Sequence, residues 1–331
     1  MIQRIAHTLF AMATLLSLGV FAAAAGEPVR SLRVVVTIPP LLWPVQQILG
    51  EGPGAVPAEI TLLLKPGLSE HGFELTPSQI NAVRSADIVV MAGHALEPRV
   101  EELLKSAPNP ARSVVSFEGL PGTLPLGLEH QHCDHDHEHA HGDDAHNHAA
   151  TDPHLWLDPV AMKALLDRLS DATLARLSER GPDAASAAPG VRARAQAAAA
   201  RCDEIDAAYS DQLAPLSNRT IVTHHNAYAY LCKRYNLTVA AVIRPIETLE
   251  PTPGDVMKAV KALKEQKAAA VFVEPQFPAG VARRIAETAR VRLQSIDPLG
   301  DGDWPALMLA NLRSLVDGLS SAGAKPPSPR P

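Results

Sequence analysis

Short apolar runs alternate with helical patterns along almost the whole chain, and this alternation restricts the possible folds more than any other feature. Continuous apolar strands separated by helices indicate parallel βα units, with helices covering both faces of each sheet. The predicted strands are Leu32–Ile38, Glu59–Leu64, Asp87–Ala92, Ser113–Phe117, Arg219–Thr223, Thr238–Ile243, Ala269–Glu274 and Arg292–Asp297. The predicted helices are Pro40–Leu49, Pro77–Ser85, Pro98–Ser106, Pro159–Glu179, Ala227–Tyr235, Pro253–Glu265, Ala279–Ala289 and Trp304–Leu319.

A long Ala- and Arg-rich segment, Val191–Ala214, separates the two groups of βα units. Its larger apolar residues recur on one helical face, which predicts a helix of roughly 36 Å. Pro182 and the pair Pro189-Gly190 predict breaks before this helix begins. The sequence therefore indicates an α/β protein of two lobes, each a mostly parallel sheet flanked by helices, joined by a long rigid helix.

The N-terminus has the features of a secretory signal. Arg4 provides a positive charge, Leu9–Val20 is apolar, and Ala22–Ala25 offers small residues for cleavage near Gly26. We therefore expect export to the periplasm. The predicted organisation is a signal peptide over 1–25, an N-terminal lobe over 26–183 with a disordered loop over 129–150, a linking helix over 184–214, a C-terminal lobe over 215–321 and a disordered tail over 322–331.

The predicted loop is rich in histidine. Eight of the fourteen histidines lie there: His130, His132, His135, His137, His139, His141, His146 and His148. Acidic residues are interspersed with them, and the absence of apolar periodicity predicts a mobile segment. Imidazole and carboxylate groups suit divalent transition metals, and zinc first. A solvated polar insert without metal is the alternative.

Charge argues against a nucleic-acid partner. The net charge is −6, or −7 without Arg4 of the predicted signal, and the six acidic residues of the loop contribute −6 of this. The rest of the chain is close to neutral and has no basic cluster of the kind that nucleic acid or anionic lipid attracts.

Five histidines remain outside the loop and the signal: His71, His94, His154, His224 and His225. Open parallel sheets bind ligands at the carboxyl ends of their strands. His71, the pair His224-His225 and Asp297 all follow or end predicted strands, and His154 follows the histidine-rich loop. Two ligands from each lobe would then meet in a cleft, as three imidazoles and one carboxylate, a set that tetrahedral zinc accepts.

Not every one of these histidines is expected to bind metal. Residues i and i+1 at a strand end project in different directions, so only one member of the pair His224-His225 points easily into the cleft. For His94 we favour a hydrogen-bonded surface role.

Five motifs occur in a specific order along the chain: EHGFELTPSQ, DPHLWLDP, HHNAYAYLCKRY, EPQF and DPLG. In this order they resemble the metal-specific solute-binding protein family, and within it the periplasmic zinc-binding proteins of high-affinity zinc ABC transporters. The resemblance covers nearly all of the chain after the signal. A histidine-rich loop just before the DPHLWLDP-like segment is also typical of the zinc members.

The resemblance implies metal ligands at His71, His154 and His225. His225 is chosen because the family's histidine precedes a short polar residue and Ala-Tyr, here Asn226-Ala227-Tyr228. It leaves the fourth ligand open between Asp297, Glu70 and a water molecule. Manganese members have a carboxylate in place of the third histidine, so His225 favours zinc.

These observations predict a monomeric protein that binds Zn²⁺ in the periplasm and delivers it to the membrane permease of an ABC transporter. The histidine-rich loop would serve as a weaker zinc collector or as a sensor. A binding protein for manganese or another divalent metal is an alternative. A zinc hydrolase is a further alternative, but no HExxH occurs and Glu70 is adjacent to His71 rather than placed to activate a water. We therefore expect that the chain is not an enzyme.

Overall fold

The computed structural model describes residues 30–125, 151–244 and 250–320, which form two lobes. The N-terminal lobe is built on four parallel strands in the spatial order β2-β1-β3-β4. The strands are β1 (Leu32–Val36), β2 (Ala58–Leu62), β3 (Ile88–Val90) and β4 (Ser113–Val115). The helices around this sheet are α1 (Leu42–Leu49), α2 (Pro77–Ser85), α3 (Pro98–Ser106) and α4 (Pro159–Glu179).

Two further helices lead to the C-terminal lobe, namely the short α5 (Pro182–Ala185) and the long α6 (Ala188–Leu213). The predicted break at Pro189-Gly190 is wrong, because α6 begins before these residues and contains both. Proline is tolerated in the first turn of a helix, where its missing N–H has no intrahelical acceptor.

The C-terminal lobe repeats the pattern with parallel strands in the order β6-β5-β7-β8. The strands are β5 (Thr220–Thr223), β6 (Thr238–Val242), β7 (Ala270–Val273) and β8 (Arg292–Ser295). The helices are α7 (Ala229–Arg234), α8 (Pro253–Glu265), α9 (Gly280–Ala289) and α10 (Trp304–Leu319). Two α/β lobes with parallel sheets confirm the predicted fold class.

Several helices begin where side chains replace missing backbone acceptors. The Thr76 hydroxyl accepts from the N–H of Gln79 at the start of α2, and the Gln79 side chain accepts from the Thr76 N–H in return. Asp158 accepts from Val160 N–H at the start of α4. The first predicted helix differs, because Pro39–Leu41 forms a separate 3-10 turn before α1.

One continuous hydrophobic core extends through both lobes. The ring of Trp43, in α1, stacks on the ring of Trp304, in α10, with 5.3 Å between centroids. The indole N–H of Trp156 donates to the Pro298 carbonyl at 2.7 Å, and the indole N–H of Trp304 donates to the Trp156 carbonyl at 2.7 Å. The Tyr209 hydroxyl of α6 donates to the Met308 carbonyl of α10 at 2.6 Å. The lobes are therefore held together by apolar packing and by buried hydrogen bonds.

The predicted signal peptide, the histidine-rich loop and the tail lie outside the described residues, and the domain boundaries stay predictions. The residues on either side of the undescribed segment 126–150 lie close together, since Pro125 and Thr151 form an antiparallel bridge. Within the three described ranges, no helix combines the length and the apolar character needed to cross a membrane.

Replacing Trp156 with phenylalanine should weaken the contact between the lobes. Trp156→Phe removes the bond to the Pro298 carbonyl and leaves that buried acceptor without its donor, at a cost of roughly 1–3 kcal/mol in unfolding free energy. Urea unfolding of the zinc-free protein measures this. Trp43→Phe is the matched control, because it makes the same ring change in the same core and leaves both indole bonds described above intact. An equal loss in the two variants would show that the hydrogen bond contributes nothing of its own.

Candidate metal centre

Two candidate ligands lie on the loop that follows β2. The pairing with β1 continues just beyond the strand, where Leu64 N–H donates to the Thr37 carbonyl at 2.9 Å. The chain then leaves the sheet, and Glu70 and His71 lie on the loop at the carboxyl end of β2. Gly72 has φ +74°, a conformation that favours glycine, and it turns the backbone directly after the histidine.

The other two candidates come from separate lobes. His154 comes directly before a 3-10 turn, Leu155–Leu157, in the N-terminal lobe. His225 lies two residues after the end of β5 in the C-terminal lobe. Both histidines are buried, as is Glu70, which is 1% exposed. One strand of each sheet, β2 and β5, is thus followed by candidate ligands, in agreement with the rule that parallel sheets bind ligands at the carboxyl ends of their strands.

Four side chains converge at this point. One ligand atom each from Glu70, His71, His154 and His225 lies within 4.8 Å of the others. The Nε2 atoms of His154 and His225 are 3.4 Å apart, and they lie 3.6 and 3.8 Å from Glu70 Oε1. Ligand atoms bound to tetrahedral zinc at roughly 2.0–2.1 Å are about 3.3 Å from one another. The three distances among Glu70, His154 and His225 are therefore close to those around a tetrahedral zinc ion, and His71 lies near enough to supply the fourth ligand.

Carboxylates orient two of the imidazoles from behind. Asp152 Oδ1 lies 2.7 Å from His154 Nδ1, and Glu274 Oε2 lies 2.6 Å from His225 Nδ1. The backbone N–H groups of both histidines also donate to these carboxylates. A proton held on Nδ1 leaves Nε2 as the metal-binding nitrogen, which is the usual arrangement of a histidine ligand and its carboxylate partner.

The charges within the cluster favour a cation. Burial acts to raise the pKa of Glu70, but the neighbouring imidazoles of His154 and His225 outweigh it and lower this pKa to about 2. Burial, together with the charge of His154, lowers the pKa of His71 to about 4. Glu70 Oε1 is buried and accepts no hydrogen bond from any described residue. An ionised, buried oxygen without a donor is the kind of atom that a metal ion completes.

His154 has the opposite shift. Burial acts to lower its pKa, but Asp152 and Glu70 raise it to about 9. The raised pKa favours a second proton on the imidazole, and a metal ion at Nε2 must displace this proton. Metal binding and proton release are coupled at this residue.

Other predicted candidates lie outside this cluster. Asp297 Oδ1 accepts hydrogen bonds from Gln276 Nε2 at 2.8 Å and from Leu299 N–H at 2.9 Å, and Asp297 does not join the four convergent side chains. The buried ring of His224 packs on Phe277, with 4.7 Å between centroids. His94 lies in the turn after β3, with φ +55°. The eight histidines of the loop lie among the undescribed residues.

Sequence patterns did not identify Asp152 as part of the site. Its signal is its position two residues before His154, from which its side chain can bond back to the histidine N–H. Glu274 ends a predicted strand and begins the EPQF motif, and its hydrogen bonds with His225 give it a defined contact in the site.

Comparison with known proteins identifies the family. Residues 34–318 match the family model described as "ZnuA: Zinc-uptake complex component A periplasmic". The chain belongs to this family. The resemblance found in the sequence motifs is thereby confirmed. The family is one of solute-binding proteins for zinc transport, so the prediction that the chain is not an enzyme is confirmed as well.

Individual relatives are distant in sequence. The zinc-binding lipoprotein AdcA of Streptococcus pneumoniae (strain R6) is 26% identical over 268 residues, which cover 81% of this chain and 50% of AdcA. The high-affinity zinc uptake system protein ZnuA of Yersinia pestis is 27% identical over 287 residues, which cover 82% of this chain and 84% of that protein. The chain thus spans about half the length of the AdcA relative.

Solved structures share the two-lobed fold. A crystal structure of ZnuA superposes with a TM-score of 0.70 at 22% identity, over 88% of this chain and 100% of the other. The Zn(II)-bound ZnuA-like domain of Streptococcus pneumoniae AdcA superposes with a TM-score of 0.66 at 21% identity, over 88% of this chain and 99% of the other.

The geometry predicts different effects for the two acidic candidates. Glu70→Gln keeps the size of the side chain but removes an ionised oxygen from the cluster, so the zinc affinity should fall by about 100-fold or more. Asp297→Asn should change it by no more than about threefold. Calorimetry with a competing chelator measures both values. A larger loss in Asp297→Asn would make Asp297 the fourth ligand.

Proposed function

We propose that this protein captures zinc in the periplasm and delivers it to the membrane permease of an ABC transporter. The convergence of Glu70, His71, His154 and His225 at the cleft between the lobes is the observation that carries the proposal. Family membership supports the transport role, and the relative from Yersinia pestis is a zinc uptake system protein. A single chain supplies all four side chains, which supports a monomer as the active form.

The donor set favours zinc over manganese as cargo. Three imidazoles and one carboxylate match the nitrogen-rich tetrahedral sites of zinc, whereas manganese prefers more oxygen ligands and a higher coordination number. Four protein ligands would also leave no open position for a substrate or an activated water, which argues against a hydrolase. We assign Glu70 as the fourth ligand because its Oε1 is buried among the imidazoles.

Replacing three ligands at once tests the function. A strain that lacks the protein should regain growth in chelator-treated medium when it expresses the wild type, but not the triple variant with His71, His154 and His225 each changed to alanine. The variant loses three of four ligand atoms, so tight zinc binding should be lost. His224→Ala is the matched control, since His224 adjoins a proposed ligand but packs on Phe277. Growth of the triple variant at the wild-type rate would refute the proposal.

The histidine-rich loop has an accessory role in this proposal. It would collect zinc at lower affinity, or sense its level, close in sequence to the ligand His154. Histidines with an ordinary pKa near ~6.5 lose metal as the pH falls below that value, so this function would weaken in acid. The N-terminal signal would bring the chain to the periplasm, where both functions take place.

Deletion of residues 130–148 separates the loop from the tight site. Zinc titration of the wild type should show one tight site and additional weak sites, and the deletion should keep the first and lose the others. The tight site persists because its proposed ligands lie outside the deleted segment. Replacing the same segment with an equally long Gly/Ser sequence controls for chain length. Equal stoichiometry in the wild type and in both variants would remove any role of the loop in zinc binding.

A further inference from the structure

Helix α7 of the C-terminal lobe contacts the segment of the N-terminal lobe that carries His154. Two side chains of α7, Tyr230 and Arg234, make these contacts. They are four residues apart, so they lie on the same face of the helix, one turn from each other. The helix follows closely after His225 in the chain. The same short stretch of the C-terminal lobe thus supplies one candidate ligand and contacts the segment that supplies another.

The Tyr230 hydroxyl connects the two chain segments that meet beside His154. It accepts a hydrogen bond from Leu124 N–H at 3.0 Å and donates one to the Asp152 carbonyl at 2.8 Å. Asp152 N–H in turn donates to the Leu124 carbonyl at 2.9 Å. Tyr230 is buried, with 4% of its surface exposed. The backbone of Asp152 is therefore held on both sides, by Leu124 and by Tyr230.

The position of Asp152 determines the position of His154. Asp152 Oδ1 lies 2.9 Å from His154 N and 2.7 Å from His154 Nδ1. The imidazole is thereby fixed at its Nδ1 edge while Nε2 faces Glu70 and His225. A shift of the Asp152 backbone would tilt this ring relative to the other ligands.

Arg234 holds the other end of the same segment. Its Nε and Nη2 atoms donate to the two oxygens of Asp158, at 2.6 and 2.8 Å. Such two-point pairs resist rotation as well as separation. Asp158 also begins helix α4, so this pair connects the end of the segment to a long helix of the N-terminal lobe.

We propose that Tyr230 is a positioning residue for His154, and that its hydroxyl limits the rate at which zinc leaves the site. The inference rests on the proposed function, since it assumes that His154 is a zinc ligand. Without the hydroxyl, Asp152 keeps its bond to Leu124 but loses its connection to α7. The His154 ring then moves more freely relative to His225, and the ion loses one ligand more often.

The test is Tyr230→Phe, which removes one oxygen and keeps the ring. Zinc dissociation into excess chelator should become about tenfold faster, within the range found when partners of metal-bound histidines are removed. The visible spectrum of the protein loaded with Co²⁺ should also change, because its bands depend on ligand geometry. A dissociation rate within about twofold of the wild type, with an unchanged cobalt spectrum, overturns the proposal.

Tyr209→Phe is the matched control. It also removes a buried hydroxyl that donates to a backbone carbonyl, but its acceptor is Met308 and not a residue beside the site. Both variants should show a lower melting temperature, and only Tyr230→Phe should show faster zinc release. Faster release in both variants to the same extent would mean that general loosening is the cause, and it would overturn the proposal.

A double variant tests the route through Asp152. If Tyr230 acts through this carboxylate, Tyr230→Phe should add little to the faster zinc release of Asp152→Asn, whereas fully additive effects on the logarithm of the rate would contradict the proposed route. If Tyr230→Phe does not fold, Arg234→Lys tests whether α7 anchors the segment that carries His154, because lysine keeps the charge but cannot form the two-point pair with Asp158. Zinc release and a cobalt spectrum that are both unchanged in Arg234→Lys and in Asp152→Asn would then overturn the proposal, because neither the contact with α7 nor the carboxylate behind His154 would affect the ion.

Failure of the proposed function has a different signature. In that case the triple variant of His71, His154 and His225 would keep tight zinc binding, whatever the behaviour of Tyr230→Phe. Loss of binding in the triple variant, combined with wild-type release in Tyr230→Phe, would refute only the role of Tyr230.

Discussion

Two indole N–H groups fix the distance between the lobes just behind the candidate metal centre. Trp156 follows His154 by two residues, and it both donates to the C-terminal lobe and accepts from it, through Pro298 and Trp304. The surrounding apolar core continues from one lobe into the other, so few rearrangements are available that do not expose large side chains. The short distance between His154 and His225 depends on this constraint, since each histidine belongs to a different lobe.

Electrostatics then decides what the cleft can hold. Three buried carboxylates, those of Glu70, Asp152 and Glu274, surround the histidines. Asp152 and Glu274 each have an imidazole hydrogen-bonded to them, whereas Glu70 Oε1 accepts no hydrogen bond from the described residues. A buried ionised oxygen without a hydrogen-bond donor is costly, so the cluster gains most from a ligand that brings positive charge without needing a donor hydrogen. A metal ion meets this requirement better than a neutral molecule does.

The sequence predicted the fold better than it predicted the interior of the site. Apolar strand runs and helix caps such as Thr76 depend on local rules, and these were enough to predict two parallel sheets. Strand ends also predicted the approximate positions of His71 and His225. The choice between Glu70 and Asp297 depends instead on side-chain directions in three dimensions, which spacing does not encode. The hydrogen bond between Tyr230 and Asp152 joins residues 78 positions apart, and no local sequence pattern predicts it.

The bridge between Pro125 and Thr151 lowers the free-energy cost of changing the length of the chain between them. Because the bridge holds Pro125 and Thr151 next to each other, the residues between them form an insertion whose two ends are fixed in space by the rest of the protein. Lengthening such an insertion adds little to the entropy of closing it, about 0.6 kcal/mol for each doubling. Residues can therefore be added or removed between Pro125 and Thr151 at little cost in closure entropy, and the two-lobed body does not have to change with them.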